Sequence, residues 1–168
     1  QFRKCKLKFS RLNHIFISHL HGDHCFGLPG LISSLNLLGR TAELHIHAPH
    51  ELEGLLTPWL NFFCHQMTFE VIFHPFDTKQ PQLIYEDRSM TVTTIPLKHR
   101  MPSCGFLFAE KQRPNHIIRE MIDRYNIPLY EINRIKNGAD YQTPDGECIP
   151  NAQLTIPAEP IRSYAYCS

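Results

Sequence analysis

The sequence has no CxxC pair, no apolar run long enough for a bilayer, no internal repeat, no low-complexity tract and almost no net charge. Each absence excludes something. The cysteines Cys5, Cys25, Cys64, Cys104, Cys148 and Cys167 are spread along the chain with neither zinc-finger spacing nor a disulfide framework, which points to reduced thiols in a cytoplasmic protein. The longest apolar candidate, Phe26 to Leu38, is broken by Pro29 and two glycines, so no membrane association is expected. Gln1-Phe2-Arg3-Lys4-Cys5 carries no apolar h-region, so no signal peptide is expected there. A net charge of +1 gives no global field to draw in nucleic acid and leaves that task to local patches. One patch is Arg3, Lys4, Lys6, Lys8 and Arg11, which reads more simply as the solvated face of a short helix over 2–11.

What is present is an ordinary globular composition, 42% hydrophobic and 20% charged, in 168 residues, enough for a substantial core. The chain does not begin with Met, and its last residues, Arg162 to Ser168, alternate like a strand without a closing turn; it reads as part of a longer protein.

Asn13 to Ser18 is a β-rich apolar run, short enough for a buried strand. From Asp23 the pattern turns helical, with Phe26, Leu28, Leu31, Ile32, Leu35 and Leu38 at three- and four-residue steps and Gly39 as the stop. Glu43 to Ala48 reads as a strand, and Glu51 to Phe63 as a helix with Leu52, Leu55, Leu56, Trp59, Leu60 and Phe63 on its apolar face. Phe69 to Phe73, Gln82 to Tyr85, Met90 to Ile95 and Cys104 to Ala109 read as further strands. The mixture suits an α+β sandwich with sheets inside and helices outside. From Glu110 the character changes: His116 to Tyr125 reads as a charged helix with a thin stripe of Ile117, Ile118 and Met121, followed by a stretch rich in Pro and Gly turns. About fifty residues with little core-forming periodicity suggest a functional extension or a mobile segment.

The chemistry concentrates in His19-Leu20-His21-Gly22-Asp23-His24. In an extended chain, residues two apart point the same way, so His19 and His21 share a side. Gly22 permits a tight turn that brings Asp23 and His24 round to the same place. Imidazoles with a carboxylate suit zinc, and four such groups exceed what one open tetrahedral ion takes. Two ions are the natural solution, one on His19 and His21, one on Asp23 and His24, and such a pair activates water for displacement at phosphorus. His45 and His47 form a second HxH pair but lack a carboxylate and a following helix, so they read as a solvated or half-buried strand face. His50, His65, His74 and His116 stand alone and read as surface or capping residues, and Cys25 as a small buried hydrophobe. His99, at a strand end before a loop, is placed to complete a site.

The run Phe16 to Leu31, with Phe26-Gly27-Leu28-Pro29-Gly30-Leu31 after the histidines, resembles the signature of the ribonuclease Z family, zinc endonucleases of the metallo-β-lactamase superfamily that trim the 3′ trailer from precursor tRNA, here in their short bacterial-type form. Pro96-Leu97-Lys98-His99 and Pro102-Ser103-Cys104-Gly105-Phe106 resemble the segment carrying that family's third histidine ligand. The resemblance implies an αββα sandwich, incomplete in this chain, with an inserted arm: residues 1–109 as part of the core, 110–160 as an exosite arm that grips tRNA, and 161–168 as the return strand. It implies two Zn²⁺ per subunit, with His19, His21 and His99 on the first, Asp23 and His24 on the second, and Asp23 as the catalytic proton acceptor. It places His45 and His47 at non-ligand positions, implies a homodimer, and makes Asp the expected residue after Ser168. Lys136-Asn137-Gly138 and Asp145-Gly146 fit the arm; its Gly-Pro pair is replaced by Asn126-Ile127-Pro128-Leu129-Tyr130. The rival expectations are another hydrolase of the same fold (thioesterase, lactonase or phosphodiesterase) and a non-catalytic RNA-binding relative.

Overall fold

The computed structural model describes residue 6 and residues 8–64 and 66–168. Arg3, Lys4, Cys5 and His65 lie outside the described residues, as does part of the helix expected over 2–11; within that span Phe9–Arg11 forms one 3-10 turn. The elements are β1 (His14–Phe16), α1 (Gly22–Cys25), α2 (Gly27–Leu37), β2 (Leu44–Pro49), α3 (Glu51–Phe63), β3 (Val71–Phe76), β4 (Leu83–Glu86), β5 (Met90–Leu97), β6 (Ser103–Glu110), β7 (His116–Ile117), α4 (Arg119–Arg124), α5 (Leu129–Lys136), β8 (Tyr141–Gln142), β9 (Cys148–Ile149), α6 (Asn151–Leu154), β10 (Thr155–Ile156) and β11 (Ser163–Tyr166). They form two compact units, one of Gln1–Asp87, Thr91–Phe108 and Tyr164–Ser168, the other of Arg88–Met90 and Ala109–Ser163.

In the first unit β1, β2 and β3 make a parallel sheet. Its pairing sets like residues side by side: Ile15, Ile46 and Phe73 form one row, and Phe16, His47 and His74 the next. Because successive side chains alternate between faces, the first row joins Ile17, Leu44 and Ala48 against the helices, and the second turns away from them. The helices answer with Leu28, Ile32 and Leu35 from α2 and Leu52, Leu56 and Leu60 from α3. Truncating one of these buried aliphatics to alanine costs about 2–5 kcal/mol.

The helix after the motif differs from its expected form. It breaks at Phe26, which ends α1 and begins α2, and Phe26 is 81% exposed instead of joining the apolar face. Its ring folds back over Gly22, where a Cβ would stand 2.5 Å from it. Leu38, Leu55 and Phe63 are likewise exposed, so the buried stripes are narrower than the periodicity suggests.

The second sheet has the order β11-β6-β5-β4. Strands β6 and β11 approach closely at Gly105: a Cβ there would lie 2.6 Å from the Tyr166 carbonyl oxygen and 2.8 Å from Cys167 Sγ. Backbone cannot swing aside as a side-chain tip can. Gly105→Ala is therefore expected to lower stability by about 1–3 kcal/mol and to speed amide exchange over Tyr164–Tyr166. Unchanged exchange there would show that the strand pair accommodates the methyl group.

The second unit carries its own core of Ile127, Ile135, Tyr141, Ile149 and Leu154, with Ile117, Met121, Ile122, Tyr125 and Ile132 against it. The region forms this core despite its weak periodicity, because its apolar residues come from many two- to eight-residue elements, too short to show a period. The structure corrects the helix expected over 116–125. His116 and Ile117 pair antiparallel with Ile156 and Thr155, and the helix begins only at Arg119. Asn151 is the polar hub, donating from Nδ2 to the carbonyls of Ile135 and Ala139 and from its backbone N–H to Asp140 Oδ1 at 2.7 Å. Among the described residues no helix is long and apolar enough to cross a membrane.

Candidate metal centre

The sheet delivers the motif. The Ile17 N–H donates to the His47 carbonyl at 2.9 Å, so the chain beyond β1 stays beside β2 and carries Ser18 and His19 inward, where both are buried. His21 is the extended residue that caps α1, and the N–H groups of His24 and Cys25 bond back to its carbonyl. That turn sets Asp23 and His24 on the first helical turn. From the other sheet, the Cys104 N–H donates to the Ser18 carbonyl at 3.2 Å, and β5 ends two residues before His99. Cys25 is buried, as read from the sequence, with its thiol on the His21 carbonyl.

Four imidazoles meet here. Ring centroids stand 4.8 Å apart for His19 and His21, 5.3 Å for His21 and His99, 5.7 Å for His19 and His99, and 4.1 Å for His19 and His24. Asp23 lies at the rim: its carboxylate is 81% exposed and reaches the group through His24 Nε2, 3.6 Å from its Oδ2. Burial holds His19 below the usual histidine range, the neighbouring His24, His21 and His99 push it the same way, and Asp23 opposes them. A neutral ring keeps a lone pair for a ligand. Ser18 Oγ lies 2.9 Å from His19 Nδ1, and when Nδ1–H donates to it the lone pair sits on Nε2. Ser18→Ala is expected to weaken metal binding about 10–100-fold, read as a shift in a metal titration; an unshifted curve would remove Ser18 from this role.

The donor set fits a borderline divalent ion. With Zn–N bonds of about 2.0–2.1 Å, two imidazoles on one tetrahedral ion have centroids about 5 Å apart, and His19, His21 and His99 bracket that spacing. Among the described residues no group of three His, Cys, Asp or Glu is already set to hold an ion. One reason is visible at His99, whose Nδ1 accepts the Met101 N–H at 3.3 Å; this long, exposed contact must give way for the ring to ligate.

Other histidines depart from their expected settings. His50 and His116 are exposed, as read from the sequence. His74 is no lone surface residue: it stacks on His47 with centroids 4.6 Å apart and its Nε2 lies 2.9 Å from His45 Nδ1. His47 is 2% exposed, deeper than a half-buried strand face. The sequence showed the HxH pair, but only strand register brings His14 and His74 beside it.

A family model described as a beta-lactamase superfamily domain matches residues 1–117. Proteins named ribonuclease Z match over all 168 residues: that of Bacteroides fragilis is 73% identical, that of Bacteroides thetaiotaomicron 68%, and that of Azobacteroides pseudotrichonymphae 44%. The chain spans about half the length of these curated relatives, 55%, 53% and 53% respectively. Among solved structures, human tRNase Z, short form, superposes with a TM-score of 0.58 at 30% identity, covering 66% of this chain and 48% of that one. The fold is the metallo-β-lactamase fold in part, and the chain belongs to the beta-lactamase superfamily, its matched relatives being ribonucleases Z.

Proposed function

We propose that this chain is the motif-bearing part of a zinc-dependent endoribonuclease that removes the 3′ trailer from precursor tRNA in the cytoplasm. The observation that carries the reading is the convergence of His19, His21, His24 and His99 at the end of β1 in a chain whose relatives bear the ribonuclease Z name. In this proposal His19, His21 and His99 hold one zinc, and Asp23 and His24 the second. Two bound zinc ions supply a lowered pKa for water and neutralise charge on the phosphoryl oxygens. Ser18 fixes the His19 tautomer, and Asp23, solvent-facing beside His24, accepts the proton of the attacking water. The products are a tRNA ending in a 3′-hydroxyl and a trailer with a 5′-phosphate.

The proposal extends to organisation. Residues 1–109 and 161–168 belong to the catalytic core, and 110–160 form the arm that grips the tRNA. Exposed Arg113, Arg119 and Arg124, with Leu129 and Tyr130 at the start of α5, support a polyanion-binding surface there. Exposed Leu37, Leu55, Phe62 and Phe63 support pairing of two subunits. The test is incubation of the intact protein with zinc and a 3′-extended precursor tRNA. Cleavage after the discriminator nucleotide, weakening as salt is added, is expected; an intact precursor in the presence of folded, zinc-loaded protein would overturn the reading.

A further inference from the structure

Four histidines outside the motif form a second cluster. His14 from β1, His45 and His47 from β2 and His74 from β3 lie on the sheet face turned away from the helices. Their rings make a two-by-two block. His14 stacks on His45 with centroids 4.7 Å apart, and His47 on His74 at 4.6 Å; across the block His14 and His47 are 5.5 Å apart, His45 and His74 5.2 Å. All four spacings bracket the ~5 Å of two imidazoles on one tetrahedral ion. Two nitrogen pairs face each other, His14 Nδ1 with His47 Nε2 at 3.2 Å and His45 Nδ1 with His74 Nε2 at 2.9 Å. Two ligand nitrogens on one zinc stand about 3.3 Å apart by the same geometry.

We propose that His14, His45, His47 and His74 form a second, structural binding site for one borderline divalent cation of the zinc or copper class. Each facing pair is a hydrogen bond in which one nitrogen donates and the other accepts, so the four lone pairs do not yet share a point, in keeping with the lack of a preset three-ligand group among the described residues. Moving the proton of each donor ring to its far nitrogen turns all four near nitrogens into ligands. The surroundings favour that tautomer. His45 Nε2 then carries a proton 3.6 Å from Glu43 Oε2, the carboxylate–histidine–metal arrangement that steadies a ligand ring. The Ile84 carbonyl acts on the His47 ring as a backbone acceptor. Asp87, held by Tyr85 Oη at 2.9 Å, lies near enough to act on His14 and adds negative charge at the rim. Nitrogen donors without thiolates select zinc, copper or nickel over magnesium. An ion here would tie together the three strands of the sheet, of which β1 leads into the motif.

The test uses the intact protein, stripped of metal and titrated with Zn²⁺ alone, with Mg²⁺ as the control. Carrying H19A and H21A, which disable the motif, the protein is expected to keep one tight zinc equivalent and to lose it when His74→Asn is added. Wild type and H74N alone should likewise differ by one equivalent, a comparison that stands even if the double alanine variant fails to fold. His74 is half-buried, and the asparagine that replaces it carries no charge to bury. Equal zinc counts with and without His74, or no tight equivalent in folded H19A/H21A protein, would overturn the proposal.

Discussion

Asp23→Ala is expected to lower trailer cleavage by the intact protein by about 10²–10⁴-fold, the range for losing a positioned general base, while the unfolding midpoint barely moves. The separation follows from where Asp23 sits. Its carboxylate is exposed, lies 3.6 Å from His24 Nε2, and belongs to the first turn of α1. Removing it strands no buried partner; the structural loss is the interaction of an acidic side chain with the start of a one-turn helix, about 0.3–1 kcal/mol. His19→Ala would not separate the two effects so cleanly. His19 is buried, bonded to Ser18 Oγ and packed between His21 and His24, so its loss opens a cavity as well as removing a ligand. Cleavage rate and urea midpoint measured side by side on D23A decide the matter. A rate within a few-fold of wild type would take Asp23 out of the chemistry, and a collapse of both quantities would make it structural.

The motif was legible because its logic is local. His19 and His21 share a side in any extended segment, and the turn at Gly22 brings His24 within 4.1 Å of His19 without help from distant chain. His99 is eighty residues from His19, and its position at a strand end said only that it faced a loop; the family resemblance, not the spacing, supplied its place beside His21. What stayed hidden needed register. His14 and His74 look solitary in sequence, yet parallel pairing sets His14 beside His45 and His74 beside His47. Amphipathic spacing overstated burial for a related reason. Phe26, Leu38 and Leu55 fall at the right steps, but a face must also be covered: Leu28, Ile32, Leu35, Leu52, Leu56 and Leu60 are buried and Leu31 and Trp59 partly so, while those three stay exposed. At His116 and Ile117 strand pairing with β10 overrode a helical pattern, a case of tertiary context outweighing propensity.

The histidine block has a second expected consequence, in stability against pH. With chelator present, acidification from pH 7 should weaken the first unit before its carboxylates begin to titrate. Burial, reinforced by His74, His14 and His45, pushes His47 down to about 4 from an ordinary 6.5, with only the Ile84 carbonyl opposing. Tyr85 packs its ring at 5.8 Å, and Phe16 and His74 cover the two faces at 4.5 and 4.6 Å, so the side chains in ring contact with His47 offer it no counter-charge. The unfolded chain therefore binds the His47 proton below about 6.5, while the folded chain refuses it until about 4. The stability this ring permits is fully present above 6.5, falls as pH drops through that window, and levels off below 4. At ~1.4 kcal/mol per unit of displacement, the loss from His47 comes to about 3 kcal/mol. His14 and His74 are lowered mainly by burial as well, so they act in the same direction. His47→Phe keeps a flat ring between Phe16 and His74 but cannot titrate. Between pH 7 and 4.5 the urea midpoint of the wild type should fall by more than that of His47→Phe. Parallel curves would mean that the block accepts protons in the folded state, by opening to water or by drawing Asp87 and Glu43 onto its rings.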